Sequence, residues 1–252
     1  MKIKYYTAME NTKTIRTIFF DFGDTLINSR IFGLNGELKA IEKVIELYHL
    51  NKAPSEYLSL AEEAGKIVGL LIKKGRYPDE SLQEYGTRLL KAKYTKLIEL
   101  MGEKPNQRTT ELVFNAHLEG IATANSLFPE VKGVLESLKG QYKLGLLSNN
   151  IVEYVRGPLE HLNLKQFFDI VVISGEENIR KPEPEIFHRA LQRSRAKPSE
   201  AMMVGDSILE DVDAAKRVGM TAVWVNRSGE KPEMEVKPDY TIRNLRELLD
   251  IL

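Results

Sequence analysis

The chain has 252 residues, 42% hydrophobic and 29% charged, with 36 Lys plus Arg set against 36 Asp plus Glu. A formal net charge of zero leaves no overall field to draw it to nucleic acid or an anionic membrane, so neither is an expected partner. Cysteine is absent, which excludes disulfides, thiol catalysis and thiolate metal sites.

Residues 1–14, MKIKYYTAMENTKT, are polar, lack the apolar stretch of a signal peptide and read as a flexible leader. No later run is apolar for long enough to span a bilayer, and the expected location is the cytoplasm. The first structural signal is IRTIFFD at 15–21, a short run of β-branched and aromatic residues ending in an acid, which predicts a buried strand. From 29 to 125 the period becomes helical. Leu38, Ile41, Ile45 and Tyr48 share one helix face; Leu58, Ala61, Ala64, Val68 and Leu71 share a second, with Ser55 as its N-cap. Leu82, Tyr85, Leu89, Ala92 and Lys96 trace a third after Pro78-Asp79, and Leu112, Ala116 and Ile121 mark a fourth. Four helices after a single strand predict an all-helical domain inserted into another domain.

Beyond Pro129 strand and helix alternate. Strands are expected at 143–147, 169–173, 201–204 and 221–225, with a weaker one at 240–242. Helices are expected at 130–139, 152–161, 183–193, 210–218 and 245–252. This alternation predicts an α/β core, a Rossmann-like doubly wound parallel sheet built from 15–28 and 126–252, with the helical insert at 29–125. Such sheets bind ligands beyond the carboxyl ends of their strands.

Those ends carry the chemistry. Asp21 closes the first strand and is followed by Phe22-Gly23-Asp24-Thr25; the second runs into Ser148-Asn149-Asn150. The loop after the third carries Arg180-Lys181-Pro182, and the fourth runs into Gly205-Asp206-Ser207, with Glu210 and Asp211 opening the next helix. A dianionic phosphate ester repels a carboxylate nucleophile, and a divalent cation between them removes that repulsion. Mg²⁺ takes hard oxygen ligands and keeps several waters, so a few carboxylates and one backbone carbonyl are enough. Asp21 and Asp206 are the candidate direct ligands, and Asp211 holds a bound water or supports the others. Lys181 is placed to neutralise developing negative charge, and Ser148 to donate to a phosphoryl oxygen.

The segments IFFDFGDTL, LLSNN, IRKPEPEIF and VGDSILEDVDAAKRVGM resemble, in order and spacing, the four motifs of the haloacid dehalogenase superfamily. The resemblance covers essentially the whole chain after Lys13. It implies that Asp21 attacks phosphorus to form an aspartyl-phosphate, with Ser148 and Lys181 as its catalytic partners. It places Mg²⁺ on Asp21, the Gly23 carbonyl, Asp206 and Asp211, and makes the helical insert a mobile cap over a small phosphorylated substrate. Ser148, Asn149 and Thr25 form the expected substrate-binding set.

One departure stands out. Family phosphatases usually carry a second aspartate two residues past the nucleophile, where it protonates the leaving group; here that residue is Gly23, and the acid is one place later, at Asp24. Thr25 and Leu26 keep their places, so this is a substitution in register. Asp24 is expected to stabilise the turn. The loss predicts a preference for leaving groups that need little protonation, such as acyl or aryl phosphates, unless another acid takes over. Two other readings stay open. One is carbon–halogen hydrolysis, whose enzymes in this family also lack the second aspartate but need no metal; the other is a non-catalytic scaffold for a phosphorylated ligand or partner. Asn28, Arg30, Arg76 and Tyr77 are candidate contacts for the substrate, and the four histidines (His49, His117, His161, His188) show no ligand spacing.

Overall fold

The computed structural model describes residues 14–231 and 236–252, so the expected leader, Thr14 apart, lies outside the described residues. Among these, six parallel strands form one sheet in the order β3-β2-β1-β4-β5-β6. They are β1 (Thr17–Phe20), β2 (Lys143–Ser148), β3 (Ile170–Ile173), β4 (Ala201–Gly205), β5 (Thr221–Val225) and β6 (Tyr240–Ile242). The chain winds outward from β1 to β3, crosses back to β4 and winds the other way. The doubly wound α/β core read from the sequence is therefore the observed one, and the switch in winding direction falls beside β1.

The strands are short apolar runs because both sheet faces are covered. Ile18 and Phe20 pack with Leu144, Leu146, Met202 and Val204 on one face, while Phe19 packs with Leu147, Met203 and Trp224 on the other. The first face is closed by α5 (Val131–Leu138) and α6 (Val152–His161), the second by α8 (Pro184–Ser194) and α9 (Ala214–Arg217). The short α7 (Ser174–Glu177) follows β3 directly. A parallel strand sandwiched between helices has no solvent face and needs no polar alternation.

Between β1 and α5 run α1 (Ser29–Tyr48), α2 (Leu58–Ile72), α3 (Leu82–Leu100) and α4 (Gln107–Thr123). They pack around a core of their own that includes Ile41, Val44, Ala64, Tyr94, Leu97 and Val113. Asn28 caps α1, its Oδ1 accepting from the backbone N–H of Arg30 and Ile31, each at 3.1 Å. Ser81 and Glu84 form a reciprocal capping box at the start of α3. The expected Ser55 cap is displaced: Pro54–Tyr57 makes a separate 3₁₀ turn in which Glu56 accepts from Ala53 N–H, and α2 starts only at Leu58.

Two more expectations are corrected. The helix read at 210–218 opens as a π-helical turn, Ile208–Asp213, because the carbonyl of Ser207 accepts from both Asp211 N–H (3.0 Å) and Val212 N–H (3.1 Å). The helix read at 245–252 is a 3₁₀ turn, Leu245–Asp250, whose threefold spacing buries Leu245 and Leu248 together.

The helical layer is seated on the core by reciprocal caps. Gln83 at the start of α3 accepts from Val152 N–H at the start of α6 (2.9 Å) and donates to Glu153 (2.7 Å). Asn178, in the loop after β3, accepts from Leu82 N–H (2.8 Å) and from Arg76 (3.0 Å). Deeper in, His117 Nε2 of α4 lies 2.5 Å from the hydroxyl of Tyr154 on α6. Among the described residues no helix is long and apolar enough to cross a membrane.

Candidate active site

Register brings the strand ends level. Phe20 is paired with Leu146 on one side and Val204 on the other, and Asp21 extends the ladder by donating its N–H to Val204 O at 2.9 Å. Asp21, Leu147 and Gly205 therefore leave the sheet at one height, with Ser148 and Asp206 one step further on. The site is built from chain segments far apart in sequence because the central strands share one parallel register.

Lys181 is the hub. Its Nζ donates to Asp21 Oδ1 at 2.6 Å and to Asp211 Oδ1 at 2.5 Å, and its side chain is 1% exposed. Burial alone would draw the ammonium down, but the carboxylates of Asp21 and Asp211 outweigh it and hold its pKa above the ordinary lysine value. Asp211 reaches it because the π turn aims its side chain at the sheet, where Oδ2 also accepts from Ser207 N–H at 3.0 Å. Gly205 makes room: a Cβ there would lie 2.3 Å from the Asp211 carboxylate.

Asp206 completes the acidic cluster. One oxygen each from Asp21, Asp206 and Asp211 lie within 4.8 Å of one another. Burial pushes the Asp206 carboxyl up to about 6, with the charges of Asp211 and Asp24 adding to the effect. Burial likewise raises Asp21, Lys181 opposing and Asp211 and Asp206 reinforcing. Three converging hard-oxygen donors with one lysine among them, two of them with raised pKa values, crowd negative charge that a bound divalent cation would relieve. The residues present fit Mg²⁺.

Ser148 is fully buried, and its Oγ accepts from Asn150 Nδ2 at 3.0 Å, which leaves the hydroxyl proton free for another acceptor. Asn149 has both ends of its amide occupied. Oδ1 accepts from Lys181 N–H (2.8 Å), while Nδ2 donates to Lys181 O (2.8 Å) and to Glu210 (2.9 Å). It clamps the Lys181 peptide. Thr25 is buried with its hydroxyl 3.4 Å from Asp206 Oδ1. Gly23 O accepts from Thr25 N–H, and Asp24 is exposed, adopts φ 48° and uses its carboxylate on Ser29 N–H at 3.0 Å. Asp24, read as a turn-stabilising acid, ties the turn to the first residue of α1.

Of the other candidates, Asn28 lines a cavity shared with Asp24 and Asp206. Asn28 serves as the α1 cap and Arg30 is exposed. Arg76 bonds Asn178, and Tyr77 is exposed with Arg88 stacked 4.4 Å over its ring. Two residues at strand ends escaped the sequence reading. Arg227, just past β5, donates to Asp24 O (3.1 Å), Thr25 O (2.8 Å) and Glu130 (2.8 Å), pinning the loop that follows Asp21. Trp224 donates its indole N–H to Asp206 O at 2.9 Å. Only their position beside the carboxyl edge of the sheet marks them in the sequence.

The family model of haloacid dehalogenase-like hydrolases matches residues 15–219. A phosphoserine phosphatase of Thermus thermophilus is 38% identical over 48% of this chain and 49% of its own length, so that match spans about half of each protein. A glyceraldehyde 3-phosphate phosphatase of Pyrococcus furiosus is 29% identical over 95% of this chain and 94% of its own. The crystal structure of a 2-haloacid dehalogenase from Pseudomonas syringae pv. Tomato superposes with a TM-score of 0.73 at 25% identity, covering 94% of this chain and 98% of that one.

Proposed function

Because the chain belongs to the haloacid dehalogenase-like hydrolases, we propose that it hydrolyses the phosphate ester or anhydride of a small metabolite, with Asp21 as nucleophile and Mg²⁺ as cofactor. The observation that carries this reading is the Lys181 ammonium shared by Asp21 and Asp211, with Asp206 beside them. Mg²⁺, on Asp21, Asp206, Asp211 and the Gly23 carbonyl, supplies positive charge against the phosphoryl oxygens when bound.

The chain's own groups do the rest. Lys181 holds Asp21 by Oδ1, leaving Oδ2 to attack phosphorus. As that O–P bond forms, the bond to the ester oxygen breaks and the leaving group departs with its electron pair. Water then attacks the phosphorus of the aspartyl-phosphate, the Asp21–phosphorus bond breaks, and inorganic phosphate leaves with the carboxylate restored. Ser148 donates to a phosphoryl oxygen, and the third N–H of Lys181 is available to another. Gly23 offers no proton to the departing oxygen, so the reading favours acyl and aryl phosphates, whose leaving groups take up a proton from water unaided.

The helical layer, read as a cap, excludes water once seated. A cysteine-free chain acting on a phosphorylated metabolite suits a reducing cytoplasm. Release of phosphate from acetyl phosphate by the purified protein tests the reading. Turnover is expected with Mg²⁺ and lost in excess chelator and in Asp21→Asn; turnover unchanged by the chelator contradicts it.

Carbon–halogen hydrolysis is the second reading, favoured by Gly23 and by the likeness to the Pseudomonas dehalogenase. Asp206 counts against it, since a third acid at the nucleophile has no use there. Release of chloride from 2-chloropropionate in excess chelator would replace the first reading with this one.

A further inference from the structure

A cavity of about 310 Å³ opens between α3 and the loop from β2 into α6. Asn149 and Asn150 are among its lining residues. These hold the two residues assigned above to the phosphoryl group, since Asn150 bonds Ser148 Oγ and Asn149 clamps the Lys181 peptide. Whatever is esterified to a phosphate at Ser148 and Lys181 therefore has this cavity next to it.

Its walls are carbon. Leu89, Leu90 and the ring of Tyr85 come from α3; Ile151 and the ring of Tyr154 come from the core. Most of the polar side chains around it have a protein partner. The Tyr154 hydroxyl is bonded to His117, the Tyr85 hydroxyl to Ile72 O (3.5 Å), and Ser174 to Asn150 O (3.2 Å). The one cation in the lining, Arg180, donates to Glu210 at 3.0 Å, and the same carboxylate accepts from Asn149. A second cavity of about 500 Å³ lies on the far side of Asp206, and acids line it: Asp24, Asp206 and Glu230, with the guanidinium of Arg227 already bonded to Asp24 O, Thr25 O and Glu130. In the first cavity the half-exposed guanidinium is tied to Glu210 by a single hydrogen bond, and in the second Arg227 is spent on three acceptors.

We propose that the α3 cavity receives the leaving group and selects an uncharged, carbon-rich one, the size of a ring or a short branched chain. The proposal rests on the phosphatase reading and adds the substrate class. A carboxylate brought here gives up hydration against carbon walls and must compete with Glu210 for Arg180, whereas carbon gains by leaving water.

The test compares phenyl phosphate with 4-carboxyphenyl phosphate, whose phenols leave with similar ease, and uses acetyl phosphate as a reference that hardly reaches the cavity. The 252-residue chain with Mg²⁺ is expected to favour phenyl phosphate in kcat/KM by about tenfold or more. Leu89→Lys, which sets a cation in the wall, is expected to shrink or reverse that ratio. The wild-type ratio decides even if the variant does not fold. Acetyl phosphate turnover with equal rates on the two aryl esters, or with the carboxylate preferred, overturns the cavity assignment alone. Failure to turn over acetyl phosphate and both aryl esters overturns the phosphatase reading, and this proposal falls with it.

Discussion

Lys181 Nζ lies 2.6 Å from Asp21 Oδ1, a contact 160 residues apart in sequence and sealed from solvent. With Asp211 at 2.5 Å on its other side, the ammonium separates two buried carboxylates. Removing it leaves both without a counter-charge. Lys181→Met is expected to lower stability by about 3 kcal/mol or more in metal-free buffer, with partial recovery on adding Mg²⁺, and to cut kcat by about 10²-fold or more. Lys181→Arg is not expected to rescue it, because a planar fork cannot take the place of a compact ammonium. Chemical denaturation with and without Mg²⁺, together with kcat, checks this; a Lys181→Met protein as stable as wild type contradicts it.

Gly205 is required by its neighbour. A methyl group there would lie 2.3 Å from the Asp211 carboxylate, and Asp211 is itself held by Lys181 and Ser207 N–H. Gly205→Ala is expected to cost about 1–3 kcal/mol by overpacking and to raise the Mg²⁺ concentration needed for half-maximal activity. Urea unfolding and a Mg²⁺ titration read both; a normal Mg²⁺ requirement rules out a role for Asp211 in the metal site.

Gly23 leaves the position for a leaving-group acid empty of side chain. Its backbone accepts a Cβ with only the Ser29 hydroxyl near, at 3.1 Å. Gly23→Asp is therefore expected to fold and to raise turnover of alkyl phosphates relative to p-nitrophenyl phosphate, by a factor of about 10² or more if the new carboxyl takes up the acid role. An unchanged ratio would show that leaving-group protonation does not limit this enzyme.

The fold was legible where hydrophobic period decides it. IRTIFFD at 15–21 and the later apolar runs became parallel strands because both faces of the sheet are covered, and the four amphipathic stretches between 29 and 125 became α1 to α4. What failed was local hydrogen bonding. The π turn at Ile208–Asp213 depends on one carbonyl, Ser207 O, taking two N–H groups, and no side-chain period announces that. In the site, the motif spacing brought Asp21, Ser148, Lys181, Asp206 and Asp211 to one edge of the sheet. It did not show that Asn149 spends its amide on the Lys181 peptide and Glu210, nor that Arg227 pins the loop after Asp21. Those are contacts across the sheet edge, fixed by tertiary geometry.

His117 links the helical layer to the core through Tyr154, and burial, with the charge of Lys93 adding, draws its pKa from 6.5 to about 4. The folded state thus prefers the neutral ring, while the unfolded chain takes up a proton below 6.5. Stability from this group is complete above that value and is lost as pH falls towards 4, on the order of a few kcal/mol. Melting temperatures of wild type and His117→Phe between pH 7 and 4 are expected to converge as pH falls; parallel curves contradict the assignment.

The central claim is tested most directly by quenching a single turnover of acetyl phosphate in acid with Mg²⁺ present and sequencing the protein by mass spectrometry. A phosphoryl group on Asp21, absent from Asp21→Asn, is the predicted result. Phosphate released at full rate with no adduct on Asp21, or with the adduct on another residue, contradicts it.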